Sequence, residues 1–264
     1  MENLRSLNSK LENLREFIRE KGRNGLVVSF SGGVDSATLT AICIDLIDEV
    51  IAVTVKSEVM PESEFRDAKR IAKEIGVKHY VVNVEILSNE EFVRNSRNRC
   101  YVCKKIMIKN IKSLAKSFGI DVILDGTNAS DLRYERPGYK AILEEGIYCP
   151  FVYAKITKEE VRAIARDLGL SFYDKPENSC LATRIPFDER ITIERLKRIE
   201  KAEKVVKSLT GIGFVRVRDH GYLARIEVRR EDLNRFLRCN IDRVVRSLKD
   251  LGYEFVTLEG YKKY

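Results

Sequence analysis

The chain has 264 residues, of which 44% are hydrophobic and 33% are charged. That length allows one large domain or a large and a small one, and the composition excludes disordered and fibrous proteins. No apolar stretch approaches the roughly 20 residues that a membrane helix needs, and the N-terminus lacks the apolar core of a signal peptide. We therefore expect a cytoplasmic protein with no membrane partner.

The net charge is +8, from 48 lysine and arginine residues against 40 aspartate and glutamate residues. A positive surface suits an anionic ligand such as a nucleotide, and it would also suit RNA. A solvated lysine-rich surface gives the same excess, so charge alone does not choose between these readings. Six cysteines in a chain expected to be cytoplasmic favour metal-binding or catalytic roles over disulfides.

The chain opens on an amphipathic helix, marked by Leu4, Leu7, Leu11 and Leu14, and then alternates strand and helix patterns. Apolar runs predict five buried strands, at Gly25–Phe30, Val50–Lys56, Lys78–Val84, Asp121–Asp125 and Ile147–Phe151. Helical patterns lie between or after them, at Val34–Ile47, Glu64–Ile75, Cys100–Phe118 and Lys158–Leu168, the last with a capping box from Thr157 to Glu160. Repeated βα units predict an α/β domain with a doubly wound parallel sheet over residues 1–174.

Beyond residue 174 the organisation changes. Residues 175–190 have two prolines and no clear period, so we expect a linker loop that carries Cys180. A long helix is predicted over Thr192–Leu209, followed by strands near 214–220 and 222–228, a helical stretch over 231–251 and a last strand at 255–258. Residues 191–264 are therefore expected to form a small α+β domain for substrate binding and oligomerisation.

Residues 31–36 read SGGVDS and lie between the first strand and a helix. Glycines let the backbone approach a ligand closely, and a helix N-terminus attracts phosphate. Ser31 and Ser36 offer hydroxyl donors, and Asp35 offers a carboxylate for Mg²⁺. A plain turn is the alternative reading; a Walker A loop and a dinucleotide fingerprint are excluded by the spacing.

SGGVDS resembles the PP-loop of the ATP pyrophosphatase superfamily. The resemblance implies that ATP is cleaved to AMP and pyrophosphate, with AMP passing to a substrate oxygen before a nucleophile displaces it. It implies that Asp35 is catalytic and binds Mg²⁺, and that the ATP ligands include Ser31, Gly32, Gly33, Val34, Asp35 and Ser36.

Two further strand ends support this interpretation. Residues 125–128 read DGTN at a strand terminus, where Gly126 permits close approach and Thr127 and Asp131 add polar groups. A simple Asx-type turn is the alternative. By resemblance, the second strand meets adenine, which makes ATP ligands of Val53 and Val55.

Three cysteines have spacings of chemical interest. Cys100 and Cys103 have the C-x-x-C spacing of a metal or cluster half-site, and Cys180 stands alone. A Cys₄ zinc ribbon is excluded because there is no second pair, whereas a Cys₃His zinc site with His79 or His220 remains open. The remaining cysteines are expected to be structural: Cys43, Cys149 and Cys239.

RCYVCK, DGTNASDLRYERPG, SCLATR and RVRDHGYLARIEV, in this order behind SGGVDS, resemble the LarE family of ATP-dependent sulfur transferases. The family converts pyridinium-3,5-biscarboxylic acid mononucleotide to its thiocarboxylate, a step towards the nickel-pincer nucleotide cofactor. One branch sacrifices the cysteine of SCLATR; another holds a [4Fe–4S] cluster on three cysteines. The resemblance favours the cluster branch, with ligands Cys100, Cys103 and Cys180, although Cys180 as sulfur donor stays open. Residues 185–188 depart from the family, where a Tyr-Gly pair is expected.

The second domain carries a candidate anion site. Arg216 and Arg218 alternate along a strand, so both side chains should project to one face and suit a phosphate. By resemblance they bind the substrate phosphate together with Arg184. A solvated basic strand face is the alternative. Glu227 on the facing strand is expected to bind metal or to pair with an arginine.

The sequence therefore predicts an ATP-dependent sulfurtransferase that uses Mg²⁺ and a [4Fe–4S] cluster, acts on a small-molecule nucleotide, draws on a sulfide source and forms a homo-oligomer. A tRNA thiolase is the first alternative, although no RNA-binding appendage is visible and tRNA is not the expected partner. An ammonia-dependent synthetase would leave the cysteines unexplained. A non-catalytic ATP-binding regulator or sulfur-handling partner is the fourth reading.

Overall fold

The computed structural model describes residues 2–133 and 136–261, so Tyr134 and Glu135 of the DGTNASDLRYERPG motif lie outside the described residues. The chain forms two compact units. Unit 1 comprises Met1–Ile86 and Cys100–Asn178, and unit 2 comprises Leu87–Arg99 and Ser179–Tyr264. The later boundary falls inside the linker predicted at 175–190, whereas the assignment of residues 87–99 to unit 2 has no counterpart in the sequence pattern.

Unit 1 is built on a parallel sheet with the strand order β3-β2-β1-β4. Its strands are β1 Leu26–Ser29, β2 Val50–Lys56, β3 Lys78–Asn83 and β4 Ile123–Asp125. The first two are buried along almost their whole length, because apolar clusters pack on both faces of the sheet. The predicted α/β fold class is confirmed.

Helices connect and cover these strands. In unit 1 they are α1 Glu2–Lys21, α2 Val34–Ile44, α3 Glu62–Ile75, α5 Arg99–Ser117, α6 Pro137–Glu144, α7 Pro150–Tyr153 and α8 Lys158–Asp167, whereas the short helix α4, Glu90–Val93, belongs to unit 2. The capping box predicted for α8 forms as expected: the Glu160 amide donates to the Thr157 hydroxyl over 3.3 Å, and the Thr157 amide donates to the Glu160 carboxylate over 2.7 Å. None of the helices in the described ranges is long and apolar enough to cross a membrane.

The fifth predicted strand, Ile147–Phe151, is wrong. Only Tyr148 makes a parallel bridge, to Leu124 at the end of the sheet, and α7 begins two residues later. Pro150 explains the difference, since proline has no N–H to donate to a sheet and its fixed φ suits the first position of a helix.

Unit 2 contains a three-stranded sheet with the order β5-β6-β7, where β5 and β6 are antiparallel and β6 and β7 are parallel. Its remaining elements are α9 Ile193–Thr210, β5 Val215–His220, β6 Leu223–Arg229, α10 Leu233–Leu237, α11 Ile241–Asp250 and β7 Phe255–Tyr261. The single helical stretch predicted over 231–251 is divided, because the Asn240 side chain accepts the Arg243 amide over 3.0 Å and starts a new helix.

Candidate functional site

The loop between β1 and α2 is shaped by Gly32. Its φ of +70° is left-handed, and a Cβ built there would lie 2.5 Å from Ala68 Cα on α3. Both the backbone conformation and the neighbouring helix therefore require glycine at this position. Gly33, the N-cap of α2, has no side chain to cover the first-turn N–H groups. Those amides and the positive end of the helix dipole are available to an anion.

The two serines of the loop bond to each other and to the loop backbone. Their hydroxyl oxygens lie 3.1 Å apart, the Gly33 amide donates to Ser31 Oγ, and the Ser31 amide donates to Ser36 Oγ, both over 3.2 Å. The serines expected to meet phosphate thus also hold the loop in shape.

Asp35, in the first turn of α2, is held by Asn128 of the DGTN motif and by Lys158, for which the sequence predicted no role in the site. Asn128 Nδ2 donates to its Oδ1 over 3.1 Å, and the Lys158 ammonium pairs with its Oδ2. Burial raises the pKa of Asp35, and the Lys158 charge opposes that rise. Lys158 also lies 3.3 Å from Glu177, so a cation sits beside the loop between two carboxylates.

The end of β4 packs directly on this loop. A Cβ on Gly126 would lie 2.8 Å from the Ser36 amide nitrogen, so only glycine lets the two backbones approach. Asp125 beside it accepts from the Thr127 amide and hydroxyl over 3.0 and 2.6 Å and pairs with Lys104 over 3.0 Å. Burial alone would raise the pKa of Asp125, but the Lys104 ammonium and the Thr127 donors outweigh it and the pKa is lowered.

Asp131 stabilises a turn, and the β2 residues Val53 and Val55 belong to the core. Asp131 accepts the Asn128 amide over 3.1 Å and pairs with Arg136 over 2.8 Å, so it orders the turn that presents Asn128. The Val53 and Val55 side chains are buried in the core, and the Val53 carbonyl accepts the Phe30 amide over 2.8 Å.

A second lysine reaches the loop from residues 170–178. Lys175 Nζ donates to the Gly32 carbonyl over 3.3 Å and pairs with Glu64 over 2.9 Å and Asp67 over 3.0 Å. Nothing in the linker sequence marked this lysine, because its partners lie more than 100 residues away along the chain. Lys158 and Lys175 therefore place two ammonium groups at the glycine loop, each balanced by carboxylates.

The cysteines divide by environment. Cys100 is exposed and Cys103 half-buried on the first turns of α5, Cys180 is half-buried in unit 2, and Cys43 is buried in the core. Cys149 lies in the surroundings of Asp125, and burial raises the pKa of its thiol to about 12. Within residues 2–133 and 136–261, no three His, Cys, Asp or Glu side chains are grouped so as to hold a metal ion.

Cys180 heads a short 3₁₀ turn, Leu181–Arg184, and Arg184 is part of that turn's frame. Arg184 is fully buried; its Nε donates to Glu203 over 2.8 Å, and its Nη1 donates to the Ser179 and Cys180 carbonyls over 2.8 and 3.2 Å. The expectation that Arg184 binds a substrate phosphate is therefore corrected. Its guanidinium is enclosed and committed to holding the Cys180 turn.

Arg216 and Arg218 do lie on one face of β5, since the residues between and beside them are buried on the other. The Arg218 guanidinium donates two hydrogen bonds to the Glu227 carboxylate, over 2.6 and 3.0 Å, and one to the Thr183 carbonyl over 2.7 Å. Glu227 therefore pairs with arginine, one of the two roles expected for it. Arg216 stacks on the Phe214 ring, 4.8 Å from its centroid, and is half-buried, as Arg218 is.

A buried ion-pair network completes unit 2 and was not foreseen from the sequence. Asp219 is fully buried on β5 and accepts from Arg195 and Arg198, two α9 residues that lie one turn apart, over 2.6 to 3.0 Å. The Tyr253 hydroxyl donates to the same carboxylate over 3.0 Å. This network ties α9 to the sheet.

Comparison with known proteins identifies the family to which the chain belongs. A family model described as NAD synthase matches residues 6–117. The pyridinium-3,5-bisthiocarboxylic acid mononucleotide synthase of Lactiplantibacillus plantarum is 34% identical over 89% of this chain and 85% of its own. An uncharacterised protein of Synechocystis sp. is 38% identical over 97% of this chain and 96% of its own.

Among solved structures, the NMN synthetase of Francisella tularensis shares the fold with a TM-score of 0.51 and 16% identity, over 65% of this chain and 75% of that one. The structural likeness concerns the fold, whereas the sequence likeness extends over nearly the whole chain. The glycine loop, the parallel sheet and the extended sequence match together show that this chain belongs to the LarE family within the PP-loop ATP pyrophosphatase superfamily.

Proposed function

We propose that this protein is an ATP-dependent sulfurtransferase that activates a substrate carboxylate by adenylation and replaces one of its oxygens with sulfur. The observation that carries the proposal is the loop at residues 31–36, whose glycine-capped helix start is flanked by Lys158 and Lys175. A donor set of this kind suits the pyrophosphate that leaves when a carboxylate attacks the α-phosphate of ATP.

The residues of unit 1 have separate roles in this scheme. A substrate carboxylate oxygen attacks the α-phosphate, the bond to the β-phosphate breaks, and pyrophosphate leaves towards the amides of residues 34–36. Lys158 and Lys175 balance its charge, and Ser31 and Ser36 keep the loop in shape. Asp35 is the carboxylate that would hold Mg²⁺, which neutralises phosphate charge when bound, and Asp131 is proposed as a further residue of the ATP site. A sulfide then displaces AMP from the activated carboxyl group.

For the sulfur we propose a [4Fe–4S] cluster held by Cys100, Cys103 and Cys180. Cysteine thiolates are the donor type that such clusters require, and Cys100 is exposed while Cys103 and Cys180 are half-buried, in contrast to the buried Cys43. When bound, the cluster would supply sulfide. The family resemblance supports this ligand set; sacrifice of the Cys180 sulfur is the competing origin.

For the substrate we propose pyridinium-3,5-biscarboxylic acid mononucleotide, because the Lactiplantibacillus relative is named as the synthase of the corresponding bisthiocarboxylic acid. Arg216 is the proposed phosphate ligand on unit 2. Arg218 is proposed to assist it while pairing with Glu227. A homo-oligomer and an external sulfide source remain predictions.

Pyrophosphate release tests the reaction. With ATP, Mg²⁺ and the biscarboxylate nucleotide, we expect release that depends on all three, accompanied by AMP. Release with tRNA but not with the nucleotide would show that the protein is a tRNA thiolase instead. Formation of an amide product when an ammonium salt is added would favour the synthetase. A Ser36→Ala variant controls for contaminating phosphatases, because it removes a hydroxyl that holds the loop in shape and should lower the release due to this protein alone.

Iron and sulfide analysis tests the sulfur source. After anaerobic purification we expect about four irons and four sulfides per chain, and a brown colour. Cys100→Ala should lose the iron, whereas the matched change Cys239→Ala should keep it. A colourless protein that transfers one sulfur and then stops, with the mass loss on Cys180, would show instead that this cysteine is the donor.

Arg216→Ala should weaken substrate binding by about 10-fold or more while leaving ATP binding unchanged, because one guanidinium–phosphate contact is removed from unit 2 alone. Calorimetric titration with each ligand separately measures both affinities. Arg229→Ala, on the neighbouring strand, is the matched loss of an exposed arginine. Equal loss of ATP and substrate binding in Arg216→Ala would show that the phosphate site is misplaced.

A further inference from the structure

Residues 87–99 cradle the segment that follows Cys180, although they come from the first half of the chain. The Ile191 amide donates to the Val93 carbonyl over 2.9 Å, and the Asp188 amide donates to the Asn95 carbonyl over 3.0 Å. Further out, Arg190 pairs with Glu90 through two bonds of 2.7 and 2.9 Å. The irregular segment after Cys180 is therefore held along its length by a strip of backbone that no local pattern relates to it.

Asn95 lies at the centre of this cradle. It is fully buried and has a φ of +59°, a left-handed conformation that asparagine tolerates better than most residues. Its Nδ2 faces three main-chain carbonyls, those of Ile185, Pro186 and Glu189, at 3.4, 2.6 and 3.0 Å. Its Oδ1 accepts from the Arg99 guanidinium. One side chain thus gathers the backbone just past the Cys180 turn and orients an arginine.

Three arginines from different elements donate hydrogen bonds to the carbonyls of the turn itself. Arg99 donates to Ala182 over 3.2 Å, Arg184 donates to Ser179 and Cys180, and Arg218 donates to Thr183. Charge-assisted bonds of this kind are stronger than neutral ones, and together they fix the backbone on both sides of the thiol. Arg99 is in turn held by Asn95 and stacks over the Phe187 ring at 4.6 Å.

We propose that Asn95 is a positioning residue for Cys180, acting through Arg99 and the carbonyls of residues 185–189. The inference rests on the proposed role of Cys180 in sulfur transfer. Asn95 has no need to contact substrate for this role. Its carboxamide restricts the turn, so that the thiol is presented in one orientation rather than several.

Alkylation of Cys180 tests this without requiring catalysis. Asn95→Gly keeps the left-handed backbone and removes only the carboxamide, and Asn95→Asp keeps the shape but replaces the donor by a carboxylate among carbonyls. In the full-length, metal-free protein treated with iodoacetamide, we expect both variants to alkylate Cys180 at least about threefold faster than wild type, as located by peptide mass spectrometry. In turnover assays, kcat should fall while the KM for ATP stays unchanged.

Asn240→Gly is the matched control, because it removes another asparagine side chain from unit 2, the cap of α11. It should leave the Cys180 alkylation rate at the wild-type value. An unchanged Cys180 rate in Asn95→Gly would overturn the inference, as would an equal acceleration in Asn240→Gly. Absence of sulfur transfer in wild type would instead refute the proposed function, while the alkylation result still decides the role of Asn95.

Discussion

Gly32→Ala is expected to abolish ATP binding. A Cβ at this position would lie 2.5 Å from Ala68 Cα and 2.9 Å from its amide nitrogen, and neither backbone atom can move aside without shifting α3. The left-handed φ adds strain for any L side chain. We expect a loss of ATP affinity of about 100-fold or more and a fall of about 3 kcal/mol in the free energy of unfolding. Calorimetric titration with ATP·Mg²⁺ and urea unfolding measure the two effects.

Gly76→Ala separates the clash from the strain. Gly76 ends α3 with a comparable φ of +82°, yet a Cβ there meets nothing within 4 Å. Its replacement should cost only the conformational strain, about 1 kcal/mol, and should leave ATP affinity within about twofold of wild type. If Gly32→Ala bound ATP as well as Gly76→Ala does, the loop would not be the phosphate site.

Asp219→Ala is expected to destabilise unit 2 strongly. The change removes the fully buried acceptor that Arg195, Arg198 and Tyr253 share, and it leaves two half-buried cations with less compensation, although Arg195 keeps Glu189 as a partner. Breaking a buried pair from one side costs about 3–5 kcal/mol. Urea unfolding followed by circular dichroism should show this loss, while the ATP affinity measured on the folded protein stays unchanged because the loop lies in unit 1.

Glu231→Ala is the matched surface change. Glu231 lies 3.8 Å from Arg229 and both side chains are largely exposed. Such a pair contributes at most about 1 kcal/mol, so its loss should barely move the unfolding midpoint. Comparable effects of the two substitutions would mean that Asp219 is not the centre of the network described here.

The parts of the site that the sequence predicts share one property: their cause is local. The βα alternation, the glycine loop and the α8 capping box each depend on residues a few positions apart, and all three are found. The fifth predicted strand is also decided locally, because Pro150 has no N–H to donate to a sheet and starts α7 within the apolar run.

The surroundings of those motifs depend on distant residues. Lys158 meets Asp35 across 123 positions, Lys175 meets Gly32 across 143, and Arg99 meets Ala182 across 83. The family resemblance predicted that Arg184 binds phosphate. Its burial against Glu203 is what commits it to the Cys180 turn instead.

By itself, the sequence determined the fold class, the position of the glycine loop and the family, because backbone propensity and motif spacing act over short stretches of chain. The tertiary structure alone decided which charged side chains can contact a ligand and which are buried in ion pairs that stabilise the fold. Burial and the pairing of charges are properties of packed neighbours, and residues 87–99 show how far along the chain those neighbours can lie.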